Sequence, residues 1–384
     1  MTNKKKISEA KTNSKVDNAV NSDLRKRMEA ANAKLNKIIQ KDNLPVIDDE
    51  LEGSQDLSIP LFSTGILALD RALSGGMPMG RITELYGEEG SGKSLISLMA
   101  IAETQKNGGR CLLFDAESSY DPIWAAKLGV NTKELMVSDA NIAEDVFKII
   151  QTYAEEKLVN LVVIDSIASL TTLDIMNSEL GAAKYASLAG VLSRILPVLL
   201  KYLKRNNVSL IVVNQVRDAI GSYTPMLRTP GGRSLKHLYH TRIKVFKAGS
   251  SKLLKDGDTV RGVEIETQVT KHRGGPNYLG ATFRIDYNNG FDYVYDLVSF
   301  LLATGHITKN GAFYTYSNQK YQGLENLMDA FRKDPAAFKA GIEFAKEILK
   351  SEAGNKNVIP SVPTDKDLVE PIDVSGDNDG EPDD

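Results

Sequence analysis

Short apolar runs alternate with helical segments over most of the chain, from about residue 64 to residue 287. This pattern predicts strands at 82–86, 111–114, 161–165, 209–214, 241–246 and 263–270. The runs that precede helices are continuously apolar, which is typical of strands buried on both faces of a parallel sheet. The later runs alternate more and are expected to be antiparallel additions. The chain is therefore predicted to be an α/β protein with a mostly parallel central sheet.

The two ends of the chain predict a domain organisation around this core. Residues 1–22 are polar and basic and are expected to be disordered, and residues 23–60 hold an amphipathic helix followed by a linker. The core is predicted at 61–290. Helix patterns around a short strand-like run predict a small C-terminal α/β domain at 291–350, and 351–384 is expected to be a disordered acidic tail. The first helix cannot bury its apolar stripe alone, so it must pack on its own core or on a neighbouring subunit.

Charge is distributed unevenly along the chain. Apolar residues make up 42% and charged residues 25%, as in an ordinary soluble globular protein. The net charge of −3 combines a Lys- and Arg-rich stretch at 1–42 with a tail at 365–384 that is dominated by Asp and Glu. A basic head and an acidic tail predict a polyanionic partner and a segment that competes with it, so deleting the tail should raise affinity.

Several classes of protein are excluded by composition. The single cysteine, Cys111, excludes an internal disulfide, and its apolar neighbours favour a buried structural thiol. The four histidines form no metal-binding motif. The most apolar helical stretch, 188–203, is short and interrupted by charges and a proline, so no membrane span is expected. With no secretory signal pattern at the N-terminus, we expect a cytoplasmic protein.

One segment predicts a nucleotide site. Gly87-Glu88-Glu89-Gly90-Ser91-Gly92-Lys93-Ser94 fits the pattern G-x-x-x-x-G-K-[ST], between an apolar strand and an apolar helix. Glycines let backbone N–H groups approach a polyphosphate closely, and the following helix adds the positive end of its dipole. Lys93 would then contact the β- and γ-phosphates of ATP, and the Ser94 hydroxyl would be a ligand of Mg²⁺.

Polar residues end three other predicted strands. Asp165 is expected to hold the same Mg²⁺, although an acid at a strand end can also be a simple polar exit. Glu117 could polarise the water that attacks the γ-phosphate, or it could be a solvated loop acid. Gln215 could sense the γ-phosphate by hydrogen bonding, or it could cap the next turn.

Taken together and in this order, several segments resemble the RecA family of homologous-recombination ATPases, over about residues 24–349. The similarity is to a divergent bacterial or phage-encoded member. The segments are Ser63-Thr64-Gly65-Ile66-Leu67-Ala68-Leu69-Asp70, Gly76-Met77-Pro78-Met79-Gly80-Arg81, the nucleotide loop, Asp115-Ala116-Glu117, Asp121-Pro122-Ile123-Trp124, Val163-Ile164-Asp165-Ser166, Asn214-Gln215-Val216-Arg217 and Gly231-Gly232.

The resemblance implies a role for each matching residue. Glu117 corresponds to the catalytic carboxylate, and Gln215 to the residue that links nucleotide state to DNA-binding loops. Asp121, Trp124 and Tyr287 join the nucleotide site on the adenine side, where Trp124 could instead be a helix core aromatic. Lys271 and Arg273 correspond to cations that reach the γ-phosphate across a subunit interface, although Lys271-His272-Arg273 alone suggests an exposed basic turn.

The resemblance also implies two loops that line DNA, at about 173–185 and 216–233. On sequence alone, such basic, glycine-rich loops could be ordinary surface. The candidate DNA-binding residues are Lys184, Tyr185, Arg217, Ile220, Arg228, Gly231, Gly232 and Arg233. The chain departs from the family pattern at Gly190, Pro197, Arg233 and His237, which puts some DNA and interface contacts in doubt.

The function that the resemblance implies is DNA-dependent ATP hydrolysis in recombination and repair. Subunits are expected to assemble head to tail on single-stranded DNA into a helical filament that pairs with homologous duplex DNA and exchanges strands. Single-strand-binding and loader proteins are candidate partners. The alternatives are a hexameric helicase on the same core, a P-loop small-molecule kinase, and a nucleotide-gated scaffold with negligible turnover.

Overall fold

The computed structural model describes residues 59–176, 188–218, 227–228, 232–249 and 252–354. By contact, these residues fall in one compact unit, Ile59–Asp384. The predicted first helix and the last 30 residues lie outside the described ranges, so their predicted disorder or docking stays a prediction. The domain boundaries predicted above likewise stay predictions.

Strands in the described residues are numbered in chain order. They are β1 (Leu61–Phe62), β2 (Met77–Pro78), β3 (Ile82–Gly87), β4 (Cys111–Asp115), β5 (Met136–Ser138), β6 (Leu161–Asp165), β7 (Ser209–Gln215), β8 (Arg217–Asp218), β9 (Leu227–Arg228), β10 (Thr241–Val245), β11 (Leu253–Asp256), β12 (Thr259–His272), β13 (Gly280–Asp286), β14 (Gly290–Phe291), β15 (Thr308–Asn310), β16 (Phe313–Tyr316) and β17 (Gln319–Gln322).

Helices in the same ranges are also numbered in chain order, and a 3₁₀ turn follows β6 at Ile167–Ser169. They are α1 (Leu67–Ala72), α2 (Lys93–Lys106), α3 (Pro122–Lys127), α4 (Ala143–Glu155), α5 (Leu173–Met176), α6 (Leu188–Asn206), α7 (Gly232–Leu238), α8 (Tyr293–Ala303), α9 (Leu324–Lys333) and α10 (Pro335–Gly354). Among the described helices, none is long and apolar enough to cross a membrane.

Ten of the described strands form one sheet in the order β14-β13-β12-β10-β3-β7-β6-β4-β5, with β11 paired to β12. Every pair from β10 to β5 is parallel, and the pairs among β10 to β14 that involve β12 or β13 are antiparallel. The α/β fold with a mostly parallel sheet is therefore confirmed. The expectation that the later strands are antiparallel holds for β12 but is wrong for the pairing of β10 with β3. Helix α7 precedes β10 and provides the crossover that a parallel strand needs.

The sheet is covered on both faces by apolar clusters. Strand side chains such as Leu113, Val163 and Ile211 pack with α1, α2 and α3 in one cluster. Their neighbours Leu112, Val162 and Leu210 pack with α4, α6 and α7 in the other. Because successive residues of a strand point to opposite faces, a strand buried on both sides must be apolar throughout, as these strands are.

The three C-terminal helices and the sheet β15–β17 enclose a third apolar cluster. It is joined to the core through α1, because Leu67 belongs to this cluster. The buried carboxylate of Asp296 accepts hydrogen bonds from Leu67 N (2.7 Å) and Ala68 N (3.2 Å). A carboxylate at the first turn of a helix satisfies N–H groups that have no partner within the helix.

Candidate nucleotide site at the carboxyl edge of the sheet

The loop between β3 and α2 has two glycines with a structural role, Gly87 because of packing and Gly92 because of its backbone conformation. A Cβ on Gly87 would lie 2.1 Å from Val245 O, and one on Gly92 would lie 2.6 Å from Ile265 Cδ1. Gly92 also has φ +99°, a left-handed conformation that favours glycine. The loop therefore rests directly on neighbouring strands, with its tip at Glu88, Glu89 and Gly90 exposed.

Lys93 is held inside this loop. It is only 7% exposed, and its Nζ donates hydrogen bonds to Glu88 O (2.5 Å) and Ser91 Oγ (3.5 Å). Burial lowers the pKa of Lys93, and the nearby carboxylates of Asp165 and Glu117 partly offset that effect. An ammonium folded onto a backbone carbonyl of the loop lies where a phosphate cradled by the loop would meet it.

Ser94 and Asp165 come together at the first turn of α2 and the end of β6. Burial raises the pKa of Asp165 to about 6, and a hydrogen bond from the Ser94 side chain opposes that rise. A hydroxyl and a carboxylate in contact are a suitable pair of oxygen ligands for Mg²⁺, which usually keeps several waters and takes few protein ligands.

Glu117 lies beside this pair because β4 and β6 are neighbours with Asp115 opposite Asp165. Three side chains place a donor on the same oxygen, Oε1: Ser166 Oγ at 2.5 Å, Gln215 Nε2 at 2.8 Å and Ser169 Oγ at 3.2 Å. Glu117 and Gln215, both predicted from sequence, are thus brought together. The alternative that Gln215 only caps a turn does not describe this contact.

Asp121, Trp124 and Tyr287 are the residues expected near adenine. Asp121 caps α3 by accepting hydrogen bonds from Ile123 N (2.8 Å) and Trp124 N (3.3 Å). Trp124 is partly buried against the first apolar cluster, so it serves the core as well. Tyr287 is 47% exposed, and its carbonyl accepts a hydrogen bond from Lys127 Nζ (3.5 Å). The helix of Trp124 and the loop of Tyr287 are therefore neighbours.

Lys271 and Arg273 have contacts on α7. Lys271 Nζ donates to Lys236 O (2.5 Å) and His237 O (3.4 Å), and an Arg273 Nη donates to His237 O (2.5 Å). Both cations therefore satisfy carbonyls at the C-terminal end of a helix, where positive charge is favoured. Lys271 is half-buried, and burial lowers its pKa, so the segment is more than an exposed basic turn.

The candidate DNA-binding residues are only partly described. Arg217 and Arg228 pair as backbone partners in the short ladder of β8 and β9. Gly232 and Arg233 begin α7, the helix whose far end carries the two cations. Lys184, Tyr185, Ile220 and Gly231 lie outside the described residues.

A buried polar network beneath the site was not predicted from sequence. Glu84 is fully buried, and it accepts hydrogen bonds from Arg242 Nε (2.5 Å) and Asn214 Nδ2 (2.8 Å). The Arg242 guanidinium also lies 4.5 Å from the centre of the Tyr86 ring, whose hydroxyl donates to Thr270 Oγ1 (2.9 Å). A glutamate inside an otherwise apolar strand was the available signal, because a buried charge requires a partner.

Comparisons with known proteins find relatives that match most of the chain. A family model described as the RecA N-terminal domain matches residues 26–292. Protein RecA of Chlorobium chlorochromatii (strain CaD3) is 34% identical over 313 residues, which cover 81% of this chain and 87% of the relative. Protein RecA of Thermus aquaticus is 36% identical over 282 residues, covering 73% and 82%. Among solved structures, the RadB recombinase matches with 25% identity and a TM-score of 0.45, over 60% of this chain and 98% of that one.

Proposed function

The chain belongs to the RecA family, and from this premise we propose that it is a single-stranded-DNA-dependent ATPase that catalyses homologous pairing and strand exchange. The observation that carries the proposal is the hydrogen bond of 2.8 Å between Gln215 Nε2 and Glu117 Oε1. It joins a candidate catalytic carboxylate beside the phosphate loop to the strand that leads into a candidate DNA loop.

ATP is the nucleotide that the loop residues fit. The backbone of Gly87-Glu88-Glu89-Gly90-Ser91-Gly92 would surround the β- and γ-phosphates, and Lys93 would exchange its hydrogen bond to Glu88 O for a phosphate oxygen. Asp121, Trp124 and Tyr287 would hold the adenine end, with the flat Trp124 ring against the base.

Ser94 and Asp165 are the residues that would hold Mg²⁺. The bound cation would neutralise charge on the phosphate oxygens. Asp165 is suited to this role because its burial disfavours the bare carboxylate, so a nearby cation is a favourable partner.

Glu117 is proposed to orient the attacking water and to accept its proton. The water oxygen forms a bond to the γ-phosphorus as the bond between that phosphorus and the bridging oxygen breaks, and ADP and phosphate leave. The hydrogen bonds on Glu117 Oε1 fix the plane of the carboxylate, which is what positioning a water demands.

Lys271 and Arg273 are proposed to act on the nucleotide of a neighbouring subunit. In the single chain they hold the end of α7, so they must leave those carbonyls, or share them, when a neighbour presents a γ-phosphate. Cations supplied in this way stabilise transition-state charge and make turnover depend on assembly. A head-to-tail contact of this kind does not close, and it generates a helical filament.

DNA is proposed to lie along the two loops that leave β6 and β7. Arg217, Arg228 and Arg233 would contact phosphates, and Tyr185 and Ile220 would insert between bases. Lys184, Gly231 and Gly232 complete the proposed set. Single-strand-binding and loader proteins and a cytoplasmic location are proposed with it.

The test is Mg²⁺-dependent ATP hydrolysis by the full chain with and without single-stranded DNA, with Lys93→Ala as the inactive control. Stimulation by DNA that is lost in the variant supports the proposal, and a strand-exchange assay with homologous duplex follows. A rate that ignores DNA contradicts it. Electron microscopy of the ATP- and DNA-bound protein should show filaments, whereas closed rings would indicate a helicase.

A further inference from the structure

We propose that Ser169 is a positioning residue for Glu117 and a second route by which bound DNA controls ATP hydrolysis. The inference rests on the proposed function and assigns its regulation to a hydroxyl that the sequence motifs do not include. Ser169 ends the 3₁₀ turn Ile167–Ser169, and Ser166 stands immediately before that turn. The backbone N–H of Ser169 donates to Ser166 O (3.2 Å), and this turn brings the two hydroxyls together.

The two hydroxyls and Glu117 Oε1 form a triangle of oxygen atoms. The separations are 2.5 Å from Ser166 Oγ to Glu117 Oε1, 3.2 Å from Ser169 Oγ to Glu117 Oε1, and 2.9 Å between the two hydroxyls. Each serine has one hydroxyl proton, so only two protons are available for the three oxygen–oxygen contacts of the triangle.

Because only two protons are available, Ser169 can donate one of two hydrogen bonds. Ser166 is fully buried and makes the shortest contact, so its proton belongs to Glu117. Ser169 either donates to Glu117 Oε1 directly or donates to Ser166 Oγ, which polarises Ser166 and strengthens its bond to the same carboxylate. In both arrangements the Ser169 hydroxyl affects Glu117 Oε1, either directly or through Ser166.

The position of Ser169 in the chain indicates how DNA would determine which of the two hydrogen bonds it donates. It lies four residues before the candidate first DNA loop, which starts at Leu173. Gln215 donates to the same Glu117 oxygen and is the last residue of the neighbouring strand β7, at the base of the second loop. One carboxylate oxygen therefore receives a hydrogen bond from the base of each loop. DNA bound at either loop would shift the donor at the base of that loop and reorient the carboxylate.

The experiment compares Ser169→Ala, Ser169→Thr and wild type in the full chain. Steady-state ATP hydrolysis is measured with and without a single-stranded oligonucleotide, together with ATP binding. We expect Ser169→Ala to lower the DNA-stimulated kcat by about ten- to hundredfold, the effect of one hydrogen bond to a charged group, and to lower the DNA-free kcat by a clearly smaller factor, while the KM for ATP stays as in wild type. Ser169→Thr keeps the hydroxyl and should restore most of the stimulation.

The matched control is Ser119→Ala, which removes a hydroxyl from the exposed loop that carries Glu117. The backbone N–H of Ser119 contacts Asp115, and the substitution keeps that bond. This control should behave as wild type.

The outcomes separate the inference from the function beneath it. If wild type is not stimulated by DNA, the proposed function fails. If wild type is stimulated and Ser169→Ala is stimulated equally, the inference about Ser169 is wrong and the function stands. An equal loss with and without DNA, or no recovery in Ser169→Thr, would also overturn the DNA route.

Discussion

The phosphate-loop half of the site and the cation half stand on the same sheet but are fixed in different ways. In the first half, Lys93 donates to a carbonyl of the loop, and Asp165 accepts a hydrogen bond from the Ser94 hydroxyl. Glu117 accepts hydrogen bonds from donors at the ends of the neighbouring strands. Lys271 and Arg273 instead bond to the last carbonyls of α7. The first half surrounds the place proposed for the chain's own nucleotide phosphates, whereas the cations of the second half contact carbonyls elsewhere in the chain.

Under the proposed function, this difference gives a physical reason for a fold that would bind nucleotide alone and hydrolyse it only in an assembly. The first half needs only the core packing of the chain that carries it. The second half has an internal substitute for phosphate, the helix-end carbonyls, which under the proposed function would hold the two cations until a neighbour supplies a stronger acceptor. The substitutions below change one half, the buried polar network around Glu84, or a residue outside both.

The largest effect should come from Lys93→Ala, which breaks the phosphate-loop half. We expect ATP turnover to fall by about 10³-fold, because the cation lies where charge develops on the phosphates. Steady-state hydrolysis at saturating ATP measures this loss. Lys93→Arg keeps the charge but not the compact ammonium, so recovery of turnover in that variant would contradict the geometric argument.

Breaking the buried polar network around Glu84 should destabilise the fold. Arg242→Met leaves the fully buried Glu84 without its ion partner, which is expected to lower the free energy of unfolding by about 3–5 kcal/mol. Denaturant unfolding measures it. Arg261→Met is the matched control, because that arginine is about half exposed and its pair with Asp286 is expected to contribute at most about 1 kcal/mol. Equal losses of unfolding free energy in the two variants would show that the buried ion pair contributes no more to stability than the exposed one.

Lys271→Ala and Arg273→Ala test the cation half. Each should lower DNA-stimulated turnover by about 10²-fold, since each removes a charge from the proposed transition state, while ATP binding by the single chain is unchanged. Titration of Trp124 fluorescence with nucleotide follows binding. Lys255→Ala, at an exposed lysine of β11, is the control. Weaker ATP binding in the single chain would place these cations in the chain's own site and contradict the comparison.

The smallest effect should come from a site outside both halves. Burial raises the pKa of Asp70 and of Asp296 to about 7. A carboxyl whose pKa is higher in the folded state than in the unfolded state binds more protons when folded, so its contribution falls as the pH rises from about 4 through 7. Asp296→Asn should therefore gain stability relative to wild type over that range, by about 1 kcal/mol or more, with turnover unchanged.

The comparison with wild type at each pH matters because His240 acts in the opposite direction. Burial and the neighbouring His272 lower its pKa to about 4, so its contribution falls as the pH drops below about 6.5. Taking the difference between wild type and Asp296→Asn removes that contribution. A difference that does not change between pH 4.5 and 8 would show that Asp296 does not titrate as its burial indicates.

Local patterns were enough to predict much of the site. Strands β3, β4, β6 and β7 end within one residue of where their apolar runs end, and parallel strands bring their carboxyl ends to one edge. Glu117, Asp165 and Gln215 therefore meet as expected. The predictions were possible because each residue follows directly from the strand that positions it.

Contacts between distant segments were beyond the sequence. Lys271 lies 35 residues after Lys236, and the bond between them depends on β12 pairing with β10 and on where α7 ends. The parallel pairing of β10 depends on the crossover through α7. The pairing of Ser169 with Glu117 spans 52 residues and follows from a 3₁₀ turn that no apolar pattern marks. Such features arise from register and packing.

The most direct test of a site shared between subunits is to mix Lys93→Ala with Lys271→Ala and measure DNA-stimulated ATP hydrolysis. Each variant alone should be nearly inactive. In a randomly mixed head-to-tail assembly, about one interface in four joins an intact phosphate loop to intact cations, so turnover should recover to that order. A mixture of Lys93→Ala with Asp165→Asn, both in the same half, should show no recovery. If the first mixture is no more active than the sum of its parts, the site is not completed by a neighbour.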